Sequence, residues 1–188
     1  MDCAHYDDIR GKIRIGDVVA TADDGLLSRL IRRRTGGLVS HVAIVFRSLW
    51  VVELMEAVKA GPIRGVIDVT RMSLRVRAQE ASGGRMYWLP LSDRARDRLN
   101  ADAMLYSLTR QRGTPYDWRQ ALGAGFAWIM NRPSARQLFC SESVALALMA
   151  GGVLPHAINY SEQTPDHVVS HDIYARRVQL CGSPVPLP

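Results

Sequence analysis

Cys140 lies in the run Phe139-Cys140-Ser141-Glu142-Ser143, at the head of an apolar stretch. That stretch reads as a short helix over 138–150, ended by Gly151-Gly152. A thiol at a helix start meets the positive end of the helix dipole and backbone N–H groups without intrahelical partners, and both favour the thiolate. The same N–H groups could hold the oxyanion formed when a thiolate attacks a carbonyl. A buried free cysteine also serves as a small core residue, so the chemistry needs a base. His41 opens the strand-like run His41-Val42-Ala43-Ile44-Val45-Phe46, where a period of two gives it the same face as Ala43 and Val45. An imidazole on a strand is rigidly aimed and titrates near neutral pH, whether it acts as a base or as a hydrogen-bonded structural group. The next strand-like run offers two carboxylates to orient it, Glu53 and Glu56. Their odd separation puts them on opposite faces of a regular strand, so only one reaches His41, and spacing alone does not choose.

A second constellation points to metal chemistry. His167 and His171 have i, i+4 spacing, and His156, Asp172 and Cys181 lie nearby in the chain. Val168-Val169-Ser170 between the two histidines lacks the glutamate base of the H-E-x-x-H motif. Surface histidines on a C-terminal helix explain the spacing without a metal, and the expectation is no metal and no organic cofactor.

The elements that must position these groups can be read from pattern. Residues 15–21 form a first strand after a Gly16-Asp17 turn, and 26–34 form a helix stopped by Gly36-Gly37. Strands follow over 41–46, 50–56 and 63–69, the first two joined as a hairpin through Arg47-Ser48-Leu49, with a further β candidate over 85–91. Ser92 caps one helix from 93 to about 109, and a second helix spans 117–130. Thr164-Pro165 starts a last short helix. Residues 1–181 read as one α+β domain, and 182–188 as a proline-rich extended or disordered tail.

Taken in order, Gly16-Asp17 before a strand, Ser40-His41-Val42-Ala43-Ile44-Val45, Met55-Glu56-Ala57, Gly113-Thr114-Pro115-Tyr116-Asp117 and Phe139-Cys140-Ser141-Glu142 resemble the permuted papain-like amidases. These are the circularly permuted branch of the NlpC/p60-type peptidases, related to the lecithin retinol acyltransferase-like enzymes. The likeness runs from about Gly16 to Asp166 and shares the order histidine before cysteine. It implies a circularly permuted papain-like (NlpC-type) fold, a small antiparallel sheet packed against the helix that carries the cysteine. It also implies Cys140 as nucleophile, His41 as base and Glu56 in the third polar position, where the acyltransferase branch often has a histidine. Tyr116 is implied as a residue that lines the site or helps hold the oxyanion, though it could equally be a packing tyrosine. The activity implied is amide hydrolysis of a peptide or peptidoglycan fragment through a thioester. The alternatives are a lipid acyltransferase or thioesterase of the same fold, or a binding module that keeps the three residues as scaffold.

Bulk composition fits this reading. The 188 residues are 47% hydrophobic and 22% charged, an ordinary globular mixture with a net charge of +6. The positive charge is almost all arginine, with Lys12 and Lys59 the only lysines, and it is scattered. No specific nucleic-acid role is expected, while weak association with an anionic surface is compatible with the charge. The three cysteines form neither a disulfide framework nor a metal knuckle. Members of the family in the cell envelope carry an export signal, whereas residues 1–12 are polar and acidic, so a cytoplasmic location is expected. No run approaches the roughly 20 apolar residues of a membrane span.

Overall fold

Runs of Val, Ile and Ala over 18–22 and 42–45 make strands that are covered on both faces, and a single sheet grows around them. The computed structural model describes residues 2–59, 65–116 and 140–187. In chain order the elements are β1 (Asp2–Cys3), α1 (Tyr6–Ile9), β2 (Val18–Ala22), α2 (Leu26–Thr35), β3 (His41–Ser48), β4 (Val52–Lys59), β5 (Gly65–Arg71) and α3 (Met72–Ala81). They continue with β6 (Arg85–Leu89), α4 (Asp93–Arg98), α5 (Ala101–Gln111), β7 (Pro115–Tyr116), α6 (Cys140–Ala150), α7 (Pro165–Ser170) and β8 (Val178–Cys181). The strand order is β1-β8-β6-β2-β3-β4-β5-β7. All neighbours are antiparallel except β1 and β8, which run parallel. The architecture is α+β, and the sheet is larger than the small antiparallel one expected. Short strands at both ends extend it, and two-residue strands such as β1 carry too little pattern to be legible in sequence.

The side-chain period of two divides the core into two layers. Val18, Ala20, Val42, Ile44, Met55 and Ile67 pack with residues of α5, α6 and α7. Val19, Ala43, Val45, Leu54, Met86 and Trp88 pack with Ile9, Ile13 and the α3 residues Met72 and Val76. Nearly every turn of α6 is buried, which explains why its sequence is apolar all round rather than striped.

Several elements depart from the sequence expectation, among them the helix over 93–109, α3 and the tail. The helix expected over 93–109 is two helices, because Asn100 takes an extended conformation and accepts the Ala103 N–H as the cap of α5. Helix α3 has no strong apolar stripe. It buries Met72, Val76 and a polar residue, Gln79, whose amide donates to the Ala22 carbonyl and the Asp23 carboxylate. The tail is irregular but held. The Gln179 amide donates to the carbonyls of Cys181, Gly182 and Ser183 and accepts the Val185 N–H, and the Tyr87 hydroxyl donates to Val185 at 2.8 Å. The helix expected over 117–130 lies outside the described residues. Among those described, no helix is long and apolar enough to cross a membrane.

Candidate active site

His41 is the first residue of β3 and pairs with Thr21 of β2. The β3–β4 register sets Ile44 opposite Met55, and continuing that register by one step would bring Ala43 level with Glu56. Glu56 is therefore the diagonal neighbour of His41 on the same face of the sheet. Its carboxylate accepts the His41 Nε2–H at 2.8 Å. Glu53 points elsewhere and pairs with Arg47 at 2.9 Å. Geometry thus selects between the two carboxylates, as the odd spacing required.

Glu56 is 3% exposed and is held from two further sides. Thr70 of β5 donates its hydroxyl to Oε1, and Arg75 of α3 brings Nε to 3.2 Å from the same oxygen. Leu54 faces Thr70 across β4–β5, so Thr70 is again a diagonal neighbour of Glu56. Sequence reasoning did not find Thr70 or Arg75. The period-two position of Thr70 is a signal once the strand register is known, whereas Arg75 depends on a helix whose pattern was too weak to read.

Cys140 begins α6 and is 8% exposed, while 19% of the His41 side-chain surface remains open to solvent. With Nε2–H committed to Glu56, the other ring nitrogen is left for the sulfur, and the two side chains interact by hydrogen bond and by charge. The backbone N–H groups of Val42 and Ser141 also favour the charged sulfur. Burial alone would raise the thiol pKa. The charge and hydrogen bond of His41, followed by those two N–H groups, outweigh it and hold the thiol below its ordinary value. Burial likewise pulls His41 down, but Cys140 and then Glu56 reverse this and push the imidazole up to about 10. For Glu56, burial is outweighed by His41, Arg75 and Thr70, and its pKa falls. The three shifts describe one buried network in which each group is moved toward its charged form.

Two structural devices aim these groups. Gly16, at φ +86°, turns the chain so that Asp17 is fully buried, accepting the Arg14 and Leu91 N–H groups and the Trp88 indole N–H while pairing with Arg96. This explains the Gly-Asp block as a structural anchor of β2. The loop that leads into His41 is fixed by Asp166, at the start of α7, which accepts the Leu38 N–H at 2.7 Å. A Cβ at Gly37 would lie 1.7 Å from the Asp166 carboxylate, so any larger residue there would have to displace that side chain.

The metal-ligand spacing does not assemble into a site. His167 Nδ1 serves the Thr164 capping box, His171 Nε2 bonds the Gln163 side chain at 2.9 Å, and Cys181 Sγ faces the Gly84 carbonyl. Among the described residues, no group of three or more His, Cys, Asp and Glu side chains is arranged to hold a metal ion. Tyr116 ends β7 with its backbone paired to Gly65, and the side-chain role expected for it lies outside the described atoms.

No protein-family model matches the chain, and no curated protein matches it. Among solved structures, it is similar to the crystal structure of metalloprotein yiiX from Escherichia coli O157:H7, DUF1105, with a TM-score of 0.51 and 20% identity. The likeness is one of fold. It covers 73% of this chain and 66% of that one, just under two thirds of the neighbour's length.

Proposed function

We propose that this protein is a cysteine-dependent amide hydrolase, with Cys140 as nucleophile, His41 as general acid and base, and Glu56 as the group that orients His41. The observation that supports it most is His41 bridging a helix-start thiol and a buried carboxylate, each shifted toward the charged form. The order of elements, with the histidine and glutamate strands before the cysteine helix, fits a circularly permuted papain-like fold. The neighbour in fold is described as a metalloprotein; among the residues described in this chain, no group of three or more His, Cys, Asp and Glu side chains is arranged to hold a metal ion.

The thiolate of Cys140 attacks the substrate carbonyl carbon, and the imidazolium of His41 protonates the leaving amine as the C–N bond breaks. A thioester on Cys140 remains. His41, now neutral, takes a proton from water, the hydroxide adds to the thioester, and the acid is released as the thiolate and imidazolium re-form. Glu56 keeps its charge throughout and fixes the tautomer that presents the free ring nitrogen to sulfur. The substrate class favoured is a peptide or peptidoglycan-like amide, because an arginine-rich surface suits a polar, acidic substrate. A screen of amide and ester probes, with intact-mass detection of an adduct on Cys140 and Cys140→Ala as control, tests this. Turnover that survives Cys140→Ala would sink the thiol mechanism, and turnover confined to lipid esters would replace the amidase reading with an acyltransferase.

A further inference from the structure

Helix α2 is built with its polar side toward the protein. Ser28 is buried, bonding the Ser40 hydroxyl at 2.6 Å and accepting the Asp23 N–H. One turn on, Arg32 donates to the Asp23 carbonyl at 2.9 Å and pairs with Asp24. The opposite row carries Leu26, Leu30 and Arg33, with Arg29 and Arg34 on either side. Leu26 is 78% exposed, Leu30 and Ile31 are half-buried, and Leu38 in the following loop is 37% exposed. None of these aliphatic residues belongs to either core layer among the described residues. Nor do Arg29, Arg33 or Arg34 make an ion pair among the described residues. The acidic groups that face the helix, Asp23 and Asp24, are engaged by Gln79 and Arg32.

We infer that α2 is a docking helix for an anionic membrane surface, lying in the lipid headgroup region with its leucines directed toward the acyl chains. A basic amphipathic helix of this type combines apolar burial with attraction to anionic lipid. Soluble polyanions would satisfy the arginines but offer no apolar phase to Leu26 and Leu30, which is why the observations favour a bilayer. The Ser28–Ser40 contact ties α2 to the residue before His41, so docking would bring the His41 end of the sheet to the surface. This extends the proposed function by placing the substrate at or near an anionic lipid surface, but the docking itself does not depend on catalysis.

Co-sedimentation of the full chain with phosphatidylcholine vesicles, with and without about one third phosphatidylglycerol, tests the assignment. Binding is expected only with the anionic lipid, and it should be lost in high salt. Each arginine near such a surface contributes about 1 kcal/mol, roughly fivefold, so Arg33→Gln with Arg34→Gln should weaken binding about thirtyfold. Leu26→Ser should weaken it severalfold, and both variants should keep the wild-type melt because their side chains are exposed. Cys140→Ala should bind normally, so a failure of the thiol mechanism would be seen separately from a failure of docking. Absence of binding overturns the inference. So does binding unaffected by the α2 substitutions but lost in Trp50→Ser at the exposed β3–β4 turn. A self-association that Leu26→Ser abolishes would assign the face to a second copy of the chain, and equal affinity for a soluble polyanion would remove the lipid.

Discussion

Replacing Glu56 by glutamine keeps the shape of the side chain and removes only its charge. Glu56 accepts the His41 Nε2–H at 2.8 Å and is paired with Arg75 at 3.2 Å and with the Thr70 hydroxyl. A glutamine has one acceptor oxygen for three donors, and its own NH2 must face one of them. A hydrogen bond to a charged group contributes about 1.5–3 kcal/mol, so a loss of about 2 kcal/mol at His41 is expected. In turnover that is a factor of about 30, appearing in kcat as much as in kcat/KM because the interaction serves the transition state. The same loss should lower the imidazole pKa from its value of about 10 and move the alkaline limb of the pH–rate profile down with it. Part of the ion pair with Arg75 is solvated, since the Arg75 side chain is 31% exposed, so the stability cost should be about 1–2 kcal/mol rather than that of a fully buried pair. For a chain of this length such a cost is a Tm decrease of about 2–8 °C. The assay is kcat and KM for an amide probe across pH, beside a thermal melt, for Glu56→Gln and Glu53→Gln. Glu53 only pairs with a half-exposed Arg47, and its loss should leave turnover unchanged. If Glu53→Gln proved the more damaging, or if the alkaline limb stayed in place in Glu56→Gln, the role assigned to Glu56 would be wrong.

Cys140→Ala should abolish acyl transfer with little change in Tm, since alanine suits the first turn of a helix, while alanine at Cys3 or Cys181 should retain full turnover. Alkylation of Cys140 by iodoacetamide should continue well below pH 9, because its thiol is held down by His41. Cys181, pushed up to about 11 by burial, should react only at strongly alkaline pH. Glu56 has a folded-state pKa below its unfolded value of 4.5, so its contribution to stability is present above that pH and fades as pH falls through the folded value. An acid-induced loss of Tm should therefore be smaller in Glu56→Gln than in the wild type. Gly37→Ala should force Asp166 from the N–H groups of Leu38 and Val39 and cost about 1–3 kcal/mol. In a double-mutant cycle with Asp166→Ala the two losses should be non-additive, and full additivity would show that the clash is not the cause.

Much of this arrangement was legible in the chain itself. The period-two run from His41 placed the imidazole on the face of Ala43 and Val45, and the apolar stretch closed by Gly151-Gly152 placed Cys140 at a helix start. Local backbone geometry determines such statements, so a single segment carries them. The odd spacing of Glu53 and Glu56 also showed that one carboxylate at most could meet His41. Which one does so depends on the β3–β4 register, a pairing between two segments that neither fixes alone. Thr70 reaches Glu56 only through the β4–β5 register, and Arg75 only because α3 packs beneath the sheet with a polar residue, Gln79, in place of an apolar stripe. The thiol's low pKa has the same origin, since burial in isolation would raise it and only the approach of His41 from a strand distant in sequence reverses the sign. Residue types and periods within a segment determined the candidate chemistry. The partners that make its charges stable come from long-range pairing, where the free energy of each contact depends on groups far away along the chain.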